Sequence, residues 1–224
     1  MNKTIVFDMD GVLFDTERLC VEVWKKVAKD WGIQGMEDVV MRCIGLNGND
    51  SKNLVLNAYG ESFPYEKFRT RVSEVFWEDI EKNGLPVKTG VKKLLPYLQQ
   101  NGYKIGLCSS TKYDSVVSHL KQAEIIEYFS VIVTGDMVEH SKPQPDIYLL
   151  ACKKLGAEPG ESFAIEDSPN GIRAAAAAGM KPVMVPDLIE PDKEMERLAF
   201  LICRDLTEVM RYLNQNAVPS GTVR

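Results

Sequence analysis

The sequence predicts an α/β fold, a doubly wound parallel sheet with an all-helical domain inserted after its first strand. Three observations lead there. A strand of buried type stands near the N-terminus, only helical periods follow it as far as Lys82, and strands then alternate with helices almost to the end. Lys3 to Phe7 is β-branched and aromatic and runs into carboxylates and Gly11, as a parallel strand feeding a functional loop does. From Thr16 to Trp31 the apolar residues Leu19, Val23, Val27 and Trp31 recur every fourth position, with Cys20, Trp24 and Ala28 on the adjacent row. That spacing describes an amphipathic helix, with Thr16 as its N-cap. Helical periods continue through Glu37 to Cys43, Ser51 to Tyr59 and Tyr65 to Lys82, broken by Gly45, Gly48 and Gly60.

After the break Asn83-Gly84-Leu85-Pro86 the rhythm changes. A helix from Gly90 to Gln100 leads to a strand from Lys104 to Cys108, then a helix from Ser115 to Ala123 to a strand from Val131 to Val133. A helix from Asp146 to Leu155, a strand from Phe163 to Ile165, a helix from Pro169 to Ala178 and a strand from Lys181 to Val185 continue the series, and Leu206 to Leu213 reads as a last helix. Pro96 should delay or kink the helix that contains it. The alternation predicts a Rossmann-like core of residues 1–15 and 86–213, a helical domain of residues 16–85 and a flexible C-terminal tail of residues 214–224. Two chain crossings, near residues 15 and 86, join the two bodies, so a hinge is expected there.

Composition narrows the function classes. Of 224 residues, 27 are Lys or Arg and 32 are Asp or Glu, a net charge of -5, which is the wrong sign for neutralising a nucleic acid backbone. Cysteines at 20, 43, 108, 152 and 203 are odd in number and hold no C-x-x-C pair, so neither a disulfide framework nor a zinc cluster is indicated. Nothing approaches the roughly 18 apolar residues of a membrane span. These features predict a cytoplasmic protein without nucleic acid or membrane partners, a monomer by default.

The chemistry concentrates at strand ends. Asp8, Asp10 and Asp15 cluster after the first strand, where ligands of open α/β sheets bind. Residues i and i+2 of a strand face one side, so Asp8 and Asp10 can converge on one small object, and a hard cation relieves the repulsion between buried carboxylates. The second strand runs into Ser109-Ser110-Thr111, whose hydroxyls and backbone N–H groups at a helix start suit an anion. Lys142 is held between residues of a short Ser-Lys-Pro-Gln-Pro stretch, and a later strand runs into Glu166-Asp167-Ser168-Pro169. An acidic metal pocket, a hydroxyl cradle and one lysine are together equipment for phosphoryl transfer.

In order and spacing, Asp8-Met9-Asp10-Gly11-Val12-Leu13-Phe14-Asp15-Thr16, the strand ending in Ser109, Lys142-Pro143 and Glu166-Asp167-Ser168 resemble the four motifs of the haloacid dehalogenase-like hydrolase superfamily. The resemblance spans nearly the whole chain and is nearest the branch with a helical cap between the first two motifs. It implies Asp8 as a nucleophile that becomes an aspartyl phosphate, and Asp10 as general acid and then general base. It further implies Mg2+ held by Asp8, the Asp10 carbonyl and Asp167 with Glu166 in support. Phosphate oxygens would be bound by Ser109, Ser110 and Lys142, and the Lys142-Pro143 bond becomes a candidate for the cis form. The substrate would be a small phosphomonoester.

Differences within the superfamily favour a phosphatase. Dehalogenases lack the second aspartate, which is Asp10 here, and no cap lysine stands in a context that matches the Schiff-base lysine of phosphonatases. β-Phosphoglucomutase is the alternative, yet Cys20 stands where that enzyme has a histidine, and Gly48, after Gly45-Leu46-Asn47, stands where it has an arginine. A non-catalytic phosphate sensor is the other alternative, but silent members usually lose Asp8 or Asp10. Glu17, Cys20, Leu46 and Asn47 are the expected specificity positions, and Glu17 with Asn47 suits a hydroxylated leaving group, hence a sugar or polyol phosphate.

Overall fold

The structure, a computed structural model, describes residues 3–44, 46 and 48–216. The chain divides into two compact units, Met1–Leu13 with Val87–Arg224, and Phe14–Pro86. In the first unit, strands β1 (Thr4–Phe7), β2 (Lys104–Ser109), β3 (Val131–Thr134), β4 (Ser162–Glu166), β5 (Lys181–Met184) and β6 (Leu201–Ile202) form one sheet in the order β3-β2-β1-β4-β5-β6. Every neighbouring pair is parallel. All four residues of β1 are buried, as a central strand covered on both faces requires. Because the chain first builds outward on one side of β1 and then crosses to β4 on the other, the switch point of this doubly wound sheet lies between β1 and β4.

The α/β unit carries helices α5 (Val91–Gln100), α6 (Tyr113–Gln122), α7 (Asp146–Leu155), α8 (Pro169–Ala177), α9 (Lys193–Leu198) and α10 (Leu206–Gln215). Val6, pointing to one face, packs into a cluster with Tyr148, Ala151 and Cys152 of α7 and Ala174 and Ala175 of α8. Phe7 points to the other and meets the Phe129 ring edge-on, with centroids 6.3 Å apart. The alanines of α8 let that helix lie close to the sheet.

The second unit holds α1 (Thr16–Asp30), α2 (Met36–Cys43), α3 (Gly48–Tyr59) and α4 (Tyr65–Asn83), with no strand among its described residues. Its core is aromatic. Phe68 is fully buried, with Trp24, Trp31 and Phe63 at centroid distances of 5.4, 5.6 and 5.5 Å. Entry and exit of this unit are tied together, since the Asp15 N–H donates to the Pro86 carbonyl at 2.8 Å.

Several local expectations are corrected. Thr16 is not the N-cap of α1 but its first helical residue, buried, and Asp15 takes the capping position because its N–H is already fixed to Pro86. Pro96 does not delay α5, which begins ahead of it at Val91 and runs through it. Asn214 and Gln215 continue α10 rather than opening a tail, and residues 217–224 lie outside the described residues. α9 and β6 were not legible in the sequence. Among the described residues no helix is long and apolar enough to cross a membrane. All five cysteines are free thiols, four of them buried.

Candidate active site

Parallel pairing on both sides of β1 brings three strand ends together. The ladder runs one residue past β1, where the Asp8 N–H donates to the Ile165 carbonyl of β4 at 2.9 Å. Asp8 thereby stands directly beside Glu166 and Asp167, which follow Ile165. One oxygen from each of Asp8, Glu166 and Asp167 lies within 4.8 Å of the others, and all three residues are buried.

Lys142 enters this group from the segment before α7, and the Lys142–Pro143 peptide that follows it is cis. Its ammonium group donates to Asp8 Oδ1, to Glu166 Oε1 at 2.6 Å and to the Cys108 carbonyl at 3.4 Å. Burial opposes charge on Lys142, yet the Asp8 and Glu166 carboxylates outweigh it and hold the group above the usual lysine range. Burial pushes the Asp8 carboxyl well above its ordinary value, against the pull of Lys142.

Glu166 is the structural hub. Its Oε1 also accepts the Tyr148 hydroxyl at 2.6 Å, and its Oε2 accepts the Ser168 hydroxyl at 3.2 Å. Burial, and then the nearby Glu166 charge, push the Tyr148 phenol well above the ordinary tyrosine range, so it stays a donor. Ser168 serves twice, since as N-cap of α8 it also accepts the Gly171 N–H at 3.1 Å.

Two glycines make room for these carboxylates. Gly11, at φ +79°, occupies the left-handed region, and a Cβ there would fall 2.1 Å from Asp167 Oδ2. At Gly171 a Cβ would fall within 2.0 Å of both Glu166 oxygens, which are pinned by Lys142, Tyr148 and Ser168. Gly171→Ala is therefore expected to cost about 1–3 kcal/mol of stability, the usual range for overpacking, as read by urea unfolding. An unfolding midpoint equal to that of the wild type would show that Glu166 can step aside.

Three buried carboxylates facing one buried ammonium group leave surplus negative charge, and every donor is oxygen. That set fits a hard divalent cation, with neither imidazole nor thiolate to favour zinc.

The hydroxyl run is only partly as the sequence suggests. Ser109 ends β2, is buried, and its Oγ accepts the Thr111 N–H at 3.0 Å, while Ser110 is exposed. Thr111 does not offer its hydroxyl to an anion, because Thr111 Oγ1 donates to Asp10 Oδ2 at 3.0 Å. The structure thus places Asp8, Asp10, Ser109, Lys142, Glu166 and Asp167 at the ends of β1, β2 and β4 and in the segment before α7.

Within the helical unit, Glu17, Cys20 and Leu46 line one pocket of about 270 Å³, together with Trp24, Tyr65 and Arg69. Asn47 lies outside the described residues. Arg69, whose guanidinium sits 5.1 Å from the Trp24 ring centroid, was not legible as a pocket residue, since in sequence it reads as part of the polar face of α4.

Comparison with known proteins fits this geometry. A phosphorylated carbohydrates phosphatase of Thermotoga maritima is 33% identical over 185 residues, covering 81% of this chain and 83% of that one. A β-phosphoglucomutase of Bacillus subtilis is 32% identical over 196 residues, covering 82% and 83%. The crystal structure of a haloacid dehalogenase family hydrolase from Deinococcus radiodurans, with bound phosphate and sodium, superposes with a TM-score of 0.79 at 25% identity, covering 96% of each chain. Residues 5–185 match the family model for haloacid dehalogenase-like hydrolases, from the strand that delivers Asp8 to the strand beyond Glu166 and Asp167, and the chain belongs to that family.

Proposed function

We propose that the protein is a phosphatase of this superfamily, an Mg2+-dependent phosphomonoester hydrolase working through an aspartyl phosphate on Asp8. The observation that carries the reading is a buried carboxylate, Asp8, gripped by Lys142 beside Glu166 and Asp167 at the switch point of the sheet. Small sugar or polyol phosphates are the favoured substrates, in keeping with the name of the Thermotoga relative.

An Asp8 oxygen attacks phosphorus, the bond from phosphorus to the leaving group breaks, and Asp10 gives its proton to the departing oxygen. Water then attacks the same phosphorus while Asp10 takes up one of its protons. The bond to Asp8 breaks, inorganic phosphate departs, and both carboxyl groups return to their starting states. Lys142 balances the charge that gathers on Asp8 and the phosphoryl group, while Ser109, Ser110 and nearby N–H groups bind phosphate oxygens. Asp8, the Asp10 carbonyl and Asp167 would hold Mg2+, with Glu166 in support, and the bound ion would offset the repulsion between an anionic nucleophile and an anionic substrate. Residues 16–85 act as the cap that selects the leaving group, through Glu17, Cys20, Leu46 and Asn47, and swing about the crossings near residues 15 and 86.

A mutase is the second reading, favoured by the 32% identity to a β-phosphoglucomutase. Against it stands Cys20, in place of that enzyme's cap histidine.

Phosphate release over a panel of phosphomonoesters tests the proposal. Turnover is expected with Mg2+, abolished by EDTA and restored by added Mg2+. Rescue by zinc but not by magnesium would overturn the metal assignment. Isomerisation of a hexose phosphate without phosphate release would establish the mutase, and a panel that shows neither phosphate release nor isomerisation would overturn both.

A further inference from the structure

Asp10 is asked to do the most orientation-sensitive work in the proposed reaction, yet an aspartate carboxyl is a loose rotor. Its terminal torsion is broad and roughly two-fold, so nothing in the side chain itself decides which oxygen faces the leaving group. The structure supplies a partner for one oxygen. Thr111, 101 residues away in sequence, donates its hydroxyl to Asp10 Oδ2 at 3.0 Å.

Thr111 is itself held at two points. Parallel pairing sets the end of β2 beside the end of β1, and the Thr111 N–H donates to the Ser109 hydroxyl oxygen at 3.0 Å. The side chain is β-branched and therefore stiff at its first torsion, so its backbone anchor also aims its hydroxyl. From these contacts we propose that Thr111 is a positioning residue for Asp10, holding Oδ2 in place while the carboxyl gives and takes the proton.

The arrangement suits both halves of the cycle. When Asp10 carries its proton on Oδ1, Oδ2 is a carbonyl oxygen that still accepts from Thr111; when Asp10 is ionised, the same oxygen accepts more strongly. One hydrogen bond thus persists while the proton comes and goes. It also links the acid to Ser109, so the phosphate-binding end of β2 and the proton-transfer group keep a fixed separation.

This inference rests on the phosphatase reading, and leaving-group dependence separates the two. An alkoxide needs protonation as it leaves, whereas p-nitrophenolate departs without help, and kcat/KM reports the events up to the first phosphoryl transfer. Thr111→Val keeps the shape and removes the donor. It is expected to lower kcat/KM for an alkyl phosphate such as glycerol phosphate by about 10- to 30-fold, through kcat rather than KM, and for p-nitrophenyl phosphate by less than about threefold. Thr111→Ser, which restores the hydroxyl, is expected to recover at least half of the lost activity on the alkyl ester. Thr111→Ala replaces the valine variant if circular dichroism shows that valine disturbs the fold. Equal losses on the two esters, no loss on either, or failure of serine to rescue would overturn the role of Thr111 while leaving the phosphatase reading intact. A wild-type protein inert toward both esters would overturn the phosphatase reading and this inference with it.

Discussion

Replacing Asp8 by asparagine is expected to lower kcat for phosphomonoester hydrolysis by at least about three orders of magnitude, since an amide oxygen is too weak a nucleophile to form the covalent intermediate. The fold should survive. Asparagine keeps the shape of the side chain, Lys142 retains Glu166 at 2.6 Å, and removing one carboxylate relieves repulsion among the buried acids. Phosphate release and thermal unfolding, measured side by side, check both halves. Turnover within tenfold of the wild type would place the nucleophile elsewhere.

Removing the cation should damage stability as well as turnover. The Lys142 side chain is 7% exposed, that of Glu166 is 0% exposed and that of Asp8 10%, so water does little to balance either charge and the ammonium group does so instead, with the Tyr148 and Ser168 hydroxyls assisting at Glu166. Lys142→Ala leaves both uncompensated, and breaking a buried pair in this way costs about 3–5 kcal/mol. Urea unfolding in EDTA, which keeps metal from replacing the lost charge, is the measurement. Lys142→Met fills the vacated space and separates charge loss from cavity formation, so a methionine variant as unstable as the alanine variant assigns the effect to charge. A loss below about 1 kcal/mol in both would mean that Asp8 and Glu166 are neutralised without the lysine.

The strand ends were legible because each carries its own chemistry next to a run of apolar residues. Asp8 and Glu166 close apolar strand runs, whereas Lys142 in Ser-Lys-Pro-Gln-Pro gains meaning only as one member of the whole set, and the helix-strand alternation after Pro86 gathers those ends. What was not legible depends on contacts across the sheet. Tyr148 reads as one more apolar position of α7, and only the approach of α7 to β4 delivers its hydroxyl to Glu166. Thr111 reads as a third hydroxyl for an anion until Asp10 claims it. β6 has two residues, too few for a period, and α9 has six with one of them buried, so neither shows a pattern. Thr16 was misplaced as a cap because the tie from Asp15 to Pro86 joins residues far apart in sequence.

The position of β1 bears on how the chain acquires its structure. Of the six strands β1 is made earliest, yet it is central in the finished sheet, and its apolar residues Ile5, Val6 and Phe7 have no strand of this sheet to pair with until β2 is made from Lys104, and none on the other side until β4 is made from Ser162. Asp8 and Lys142, which meet in the folded protein, are 134 residues apart in sequence. At about 5–20 residues per second, synthesis leaves that segment exposed for many seconds. Long-range parallel pairing is also slow to nucleate, because loop closure must precede any stabilising contact. The helices between β1 and β2 can form early and locally, whereas the carboxylate cluster cannot exist before β4 docks. A nascent chain released short of Ser162 carries Asp8 without Glu166 and Asp167, and leaves one edge of the apolar β1 unpaired and open to a chaperone.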